Sequence, residues 1–239
     1  MNPPEKTVVG KNMTKSVHEM SASARQVEPV DGTGAPAAPN VLDTPDSRFA
    51  GRERSVDPAD AGKLVRPAGS RGYLHVYTGD GKGKTTAAFG LAVRALCAGQ
   101  SVYIGQFVKS MRYNETKIEA VFDRMRIEQL GRGCFIGHDP EPADVGMARE
   151  GLARCRALLV SGEYDLVILD ELTIALYYRL LTVNEVLDAL RARHPSVEVV
   201  VTGRYAPQEL VDEADLVTEM REVKHYYTQG VLSREGIDR

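Results

Sequence analysis

From Gly72 onward the chain alternates short apolar runs with longer amphipathic stretches. The apolar runs are Tyr73–Tyr77, Val102–Phe107, Arg126–Gln129, Leu166–Leu169, Val197–Thr202 and Leu216–Glu219. Most are apolar almost without a break, the pattern of strands covered on both faces. Helical periodicity marks Lys84–Ala98, about Glu115–Arg124, Asp144–Ser161, Val183–Ala192 and Pro207–Ala214, with Thr182 or Asn184 placed to cap the fourth. Strand alternating with helix predicts an α/β fold: a three-layer sandwich around a mainly parallel sheet, with right-handed crossovers. Ligands in such folds sit at the carboxyl ends of the strands.

Residues 1 to about 70 have a different texture. They hold most of the twelve prolines and show almost no apolar periodicity. Such a stretch buries too little surface to offset its ordering entropy, so it reads as a disordered extension before a domain spanning 71–239. The 239 residues carry a net charge of −3, which gives nucleic acid nothing to bind. Cys97, Cys134 and Cys155 are sparse and widely spaced, which suits a reducing compartment and gives no zinc signature. No apolar run is long enough to span a bilayer, and the N-terminus lacks a signal-peptide core. The expected location is the cytoplasm.

The chemistry concentrates in Thr78-Gly79-Asp80-Gly81-Lys82-Gly83-Lys84-Thr85-Thr86, between the first strand and the first helix. Strand, glycine-rich turn, Lys-Thr and helix is the layout of a phosphate-binding P-loop. Glycines let successive N–H groups turn toward one anion, and the new helix adds its positive end. Lys84 supplies a cation, and the Thr85 hydroxyl is a ligand for Mg²⁺ (or Mn²⁺). The loop is one residue shorter than the usual spacing and carries a second lysine, Lys82. An ordinary P-loop ATPase or small-molecule kinase of the RecA-like class is one reading. A loop that holds its triphosphate in an unusual way is the other.

A second element supports a phosphate site. Leu166–Leu169 runs into Asp170-Glu171, and paired carboxylates at the end of a buried strand cost free energy unless they meet a cation. Thr85, Asp170 and Glu171 are therefore the candidate metal shell. Arg204, after Thr202-Gly203, ends a strand on the same edge and can reach a phosphate. Arg94, ten residues after Lys84, either points toward the nucleotide or lies on a solvated helix face. Tyr177-Tyr178 and Tyr226-Tyr227 read as core or rim, and His75 as a satisfied core histidine.

At this point a family resemblance emerges. The loop with its continuation Ala87-Ala88-Phe89-Gly90 resembles that of the ATP:corrinoid adenosyltransferases of the CobA/CobO/BtuR type. So do Gln106-Phe107-Val108-Lys109, Leu169-Asp170-Glu171-Leu172-Thr173, Thr202-Gly203-Arg204 and the ending Val223-Lys224-His225, Gly230-Val231 and Gly236-Ile237-Asp238. These matches span about 72 to 239, and the first 70 residues lie outside them. The resemblance implies a P-loop, RecA-like sandwich that binds ATP and a Co(I) corrinoid as substrates.

It also implies a reaction. The 5′-deoxyadenosyl group of ATP moves to cobalt and inorganic triphosphate leaves, as in a cob(I)yrinic acid a,c-diamide adenosyltransferase. Lys82 and Lys84 would serve the leaving triphosphate, with Gly79, Asp80, Gly81, Gly83, Thr85 and Thr86 shaping the loop around it. No general base is required, which fits the lack of any Ser/His/Asp or Cys/His arrangement. Lys109, Cys134, Phe135 and Ile136 fall where the family contacts the corrinoid, with Met111 and Arg112 nearby. The family's bulky aromatic pair is replaced there by Cys134 and Ile136 around Phe135, and the chain has no tryptophan. That departure is the one feature favouring a third reading, a non-catalytic corrinoid or nucleotide carrier. The resemblance further implies a homodimer and a reduced flavoprotein as electron donor.

Overall fold

The computed structural model describes residues 70–109, 113–132 and 140–238. The stretch 1–69 lies outside them. Six strands form one sheet: β1 (Leu74–Thr78), β2 (Val102–Gln106), β3 (Met125–Gln129), β4 (Leu166–Asp170), β5 (Glu198–Thr202) and β6 (Leu216–Glu219). Their order is β3-β2-β4-β5-β1-β6, and every pairing is parallel. Each strand lies within a residue of its predicted span.

Helices α1 (Lys84–Cys97), α2 (Pro142–Ser161), α3 (Leu172–Tyr177), α4 (Val183–Arg191) and α5 (Gln208–Glu213) supply the outer layers. Handedness decides which face each one covers. The connections β1 to β2 and β2 to β3 step one way along the sheet, and the later three step the other way. Right-handed crossovers of opposite direction must lie on opposite faces. Accordingly α1 packs Ala88, Phe89, Ala92, Ala95 and Leu96 against Ile104, Ile127, Ile168 and Val200 on one face. On the other, α2, α3, α4 and α5 bury Leu152, Leu159, Leu176, Leu190 and Leu210 against Tyr103, Val167, Leu169 and Val201. The two sets alternate along β4, as side chains on a strand must.

Local signals explain the helix ends. Thr182 caps α4, its side chain accepting from the Glu185 N–H while Glu185 reaches back, a reciprocal capping box. Glu141 and Asp144 form another such box at α2, which stops at Gly162 in the left-handed region. The helix expected near Glu115–Arg124 is instead a 3-10 segment, Asn114–Ala120. It joins adjacent strands, and of its residues Ile118 packs against this core, followed by Phe122 just beyond its end. Helix α3 was not anticipated, because its sequence Leu-Thr-Ile-Ala-Leu-Tyr follows β4 almost directly and has too few polar positions to mark a helical period. Strand β6 also departs from the buried pattern: all four residues are exposed at the sheet edge. His75 is satisfied as expected, with Nε2 2.8 Å from Glu198 Oε1. Among the described residues no helix is long and apolar enough to cross a membrane.

The central strands should dominate stability. Ile168 is fully buried on β4, so Ile168→Ala is expected to cost about 2–5 kcal/mol. Val217→Ala on β6, where the residue is 40% exposed, should stay within about 1 kcal/mol. Urea unfolding of the full chain measures both, and equal losses would contradict this layering.

Candidate functional site

The carboxyl ends of β1, β2, β4 and β5 open into one cavity of about 1140 Å³. Gly79 and Gly83 turn the chain from β1 into α1 with φ of +95° and +121°, values that side-chain-bearing residues avoid. A Cβ on Gly79 would lie 2.4 Å from the Met220 carbonyl oxygen, so the loop presses against the backbone leaving β6. The Gly81 N–H donates to that same oxygen at 2.6 Å. One backbone donor of the loop is thereby used within the protein.

Lys84 folds over the loop, donating to the carbonyls of Gly79 and Gly81 at 2.6 and 2.8 Å. An ammonium has three N–H donors, so one remains for a ligand. Burial lowers the Lys84 pKa and the Arg204 charge lowers it further, with Glu171 and Asp80 opposing.

Asp170 is fully buried, and four donors converge on it. Thr85 and Thr202 hydroxyls donate to Oδ1 at 2.9 and 2.7 Å. Gln106 Nε2 and Lys109 Nζ donate to Oδ2 at 3.0 and 2.7 Å. Burial pushes the Asp170 carboxyl up, but the Lys109 charge and these hydrogen bonds outweigh it and hold the pKa below the usual carboxylate range. Burial likewise disfavours the Lys109 charge, and Asp170 more than compensates. Glu171 behaves in the opposite way: burial and the neighbouring Asp170 charge raise its pKa.

These contacts divide the expected metal shell. Both oxygens of Asp170 are engaged by protein donors, with the Lys109 ammonium already acting as its cation. Thr85 and Glu171 line the cavity. The Thr85 hydroxyl, having given its proton toward Asp170, presents lone pairs. A hydroxyl and a carboxylate are hard oxygen ligands that suit Mg²⁺ completed by phosphate and water. Among the described residues no group of three or more His, Cys, Asp or Glu is arranged to hold a metal alone.

Asp80, Gly81, Lys82, Gly83, Lys84, Thr85, Thr86, Lys109, Glu171 and Arg204 all line the cavity, so the structure brings most of the expected residues together. Arg94 does not join them. It is exposed on α1, roughly 15 Å along the helix axis from Lys84. Cys134, Phe135, Ile136, Met111 and Arg112 lie outside the described residues. Tyr177, Tyr178 and Tyr205 form an exposed cluster beside the cavity, with the Tyr177 and Tyr205 rings 4.4 Å apart.

Sequence reasoning missed Gln106 and Thr202 as the donors that hold Asp170. A polar residue at the end of a buried strand was the available signal. Three non-glycine residues in the left-handed region, Val108, Glu171 and Tyr205, follow β2, β4 and β5 and line the cavity. Such strain gathers at ligand sites. Gly203, at φ +131°, makes room for α3: a Cβ there would lie 2.2 Å from Thr173 Oγ1.

Known proteins resemble this chain over most of its length. The family model for ATP:corrinoid adenosyltransferases (BtuR/CobO/CobP) matches residues 70–238. The corrinoid adenosyltransferase of Escherichia coli strain K12 is 33% identical over 193 residues, covering 81% of this chain and 98% of that protein. The Salmonella typhimurium corrinoid adenosyltransferase CobA is 34% identical over 193 residues, with the same shares. The Pseudomonas aeruginosa corrinoid adenosyltransferase is 36% identical over 180 residues, 74% of this chain and 88% of that protein. The Escherichia coli alignment is longer than the stretch from Ser70 to the last residue, so it takes in residues before Ser70, further than the motif resemblance reached. The family match carries the whole sheet, the short two-lysine loop and the Asp170-Glu171 pair, and the chain belongs to the ATP:corrinoid adenosyltransferase family.

Proposed function

We propose that this chain transfers the 5′-deoxyadenosyl group of ATP to the Co(I) of a corrinoid and releases inorganic triphosphate, in adenosylcobalamin biosynthesis or salvage. The observation that carries this reading is the two-lysine loop of a chain in this family, with Lys82 and Lys84 facing one cavity. At about 1140 Å³ the cavity exceeds the ~300–1,000 Å³ of ordinary small-molecule sites and leaves room for a second, bulky substrate.

The substrate Co(I) donates its electron pair to C5′ of ATP. The C5′–O5′ bond breaks, its pair leaves on the triphosphate, and cobalt ends as an alkyl-Co(III). No proton moves, so the protein's task is to position ATP and stabilise the leaving charge. Lys84, Lys82, Arg204 and the start of α1 supply that stabilisation. Thr85 and Glu171 would hold a Mg²⁺ (or Mn²⁺), with Asp170 orienting the Thr85 hydroxyl from behind. Bound there, the ion supplies further neutralisation of the triphosphate. Phosphoryl transfer, by contrast, would place the catalytic cations on a terminal phosphate that moves while ADP stays.

In this reading Lys109, Cys134, Phe135 and Ile136 contact the corrinoid, which is cobalamin or cobyrinic acid a,c-diamide. Reducing power comes from a reduced flavoprotein, and the working assembly is a cytoplasmic homodimer. The family resemblance supports the corrinoid contacts, the electron donor and the homodimer, and the sparse, widely spaced cysteines support the cytoplasm.

Incubation with ATP, Mg²⁺ and chemically reduced corrinoids in turn should give a light-sensitive adenosyl product and free triphosphate. ADP and phosphate instead would show a kinase or ATPase. Lys84→Ala should lower kcat/KM for adenosylation by about 10²–10³-fold, and an unchanged rate would overturn the role given to the loop.

The ligand-free protein offers a separate check on the Asp170 cluster. Asp170→Ala removes the 2.7 Å partner of the Lys109 ammonium, 17% exposed, and leaves it only the looser Glu115 pair at 3.7 Å, so it should cost about 3 kcal/mol of stability. Removing both charges with Asp170→Asn and Lys109→Met should cost clearly less. Denaturant unfolding measures both, and wild-type stability in the single variant would show that the pair anchors nothing.

A further inference from the structure

Lys82 is held by the far end of the chain. Its Nζ donates to the Ile237 carbonyl at 3.0 Å and pairs with Asp238 Oδ1 at 3.0 Å. Asp238 is itself fixed. The Tyr226 hydroxyl donates to Oδ1, and the Arg234 N–H and Nε donate to Oδ2 at 3.0 and 3.3 Å. The Arg234 guanidinium also lies 4.8 Å from the centre of the Tyr226 ring. The Asp238 side chain is only 11% exposed. Lys82, Tyr226, Ile237 and Asp238 all line the same cavity.

The two loop lysines are therefore anchored alike. Lys84 gives two N–H groups to loop carbonyls. Lys82 gives two to the C-terminal segment. Each keeps one donor for a ligand. The loop meanwhile has lost the Gly81 N–H to Met220. A shortened loop with one fewer backbone donor leans more heavily on its lysines.

We propose that Asp238, held by Tyr226 and Arg234, is a positioning residue that aims Lys82 at the triphosphate, so that the C-terminal segment completes the phosphate site. The proposal rests on the adenosyl-transfer reading for the identity of the triphosphate, but it concerns a binding step. Simple electrostatics argues the other way: an aspartate beside an anion site repels the anion, and removing it should tighten binding. The sign of the effect thus separates positioning from mere proximity.

The test is calorimetric titration of the full chain with inorganic tripolyphosphate and Mg²⁺. Asp238→Asn and Tyr226→Phe are each expected to weaken tripolyphosphate binding, Asp238→Asn by about tenfold, the size of one charge-assisted hydrogen bond. Asp238→Glu should recover part of the loss. In a Lys82→Met background, neither substitution should weaken binding further, because a residue acting through Lys82 has nothing left to aim. Tighter binding by Asp238→Asn, or losses that add to that of Lys82→Met, would overturn the proposal. Thermal unfolding of each variant identifies one that has lost its fold, and Tyr226→Phe, which keeps both charges, then decides. Corrinoid adenosylation by the wild type is scored separately: tripolyphosphate binding without adenosylation would remove the function reading and leave the positioning role standing.

Discussion

A single buried carboxylate organises the carboxyl end of the sheet. Asp170 takes donors from α1 through Thr85, from β2 through Gln106, from the loop after β2 through Lys109 and from β5 through Thr202. A charge without solvent is tolerated only when its acceptor positions are filled, so these elements cannot drift apart without exposing an unpaired charge. The same carboxylate orients the Thr85 hydroxyl at the start of α1. Packing of the two cores and chemistry of the site therefore meet at one residue.

Around that anchor the loops after β2, β4 and β5 adopt backbone conformations that their residues do not favour. Val108, Glu171 and Tyr205 hold positive φ beside the cavity. Parallel strands fix where each loop begins, and the Asp170 hydrogen bonds fix where its side chains must reach. Glu171 follows directly: its N–H is tied to Thr202 Oγ1 at 3.0 Å, and the residue lines the cavity. Adjacent carboxylates thus have different surroundings, one neutralised inside the protein and one lining the cavity.

The C-terminal segment has a comparable relation to the phosphate loop. The loop lies against Met220, and Lys82 reaches Ile237 and Asp238. A loop shortened by one residue encloses less of an anion by itself. The segment beyond β6 supplies a further wall, built from residues more than a hundred positions away in the chain.

Hydrophobic patterning alone located the six strands, the long helices and their parallel arrangement. A strand buried on both faces must be apolar throughout, and handed crossovers leave few ways to connect such strands. Loop spacing marked Lys82, Lys84 and Thr85, and strand-end chemistry marked Asp170 and Glu171. The sequence left unresolved the partners of those residues. Gln106 and Thr202 are unremarkable as single letters, α3 has too few polar positions to show a period, and Arg94 has the right type of side chain on the wrong turn of α1. Nor did adjacency reveal that Asp170 would be closed off by Lys109 while Glu171 stayed open. Those outcomes depend on which strand ends become neighbours and which acceptor positions are filled first. Such facts arise only once residues distant in the chain are packed together, because burial and hydrogen-bond satisfaction belong to the fold and not to any one segment.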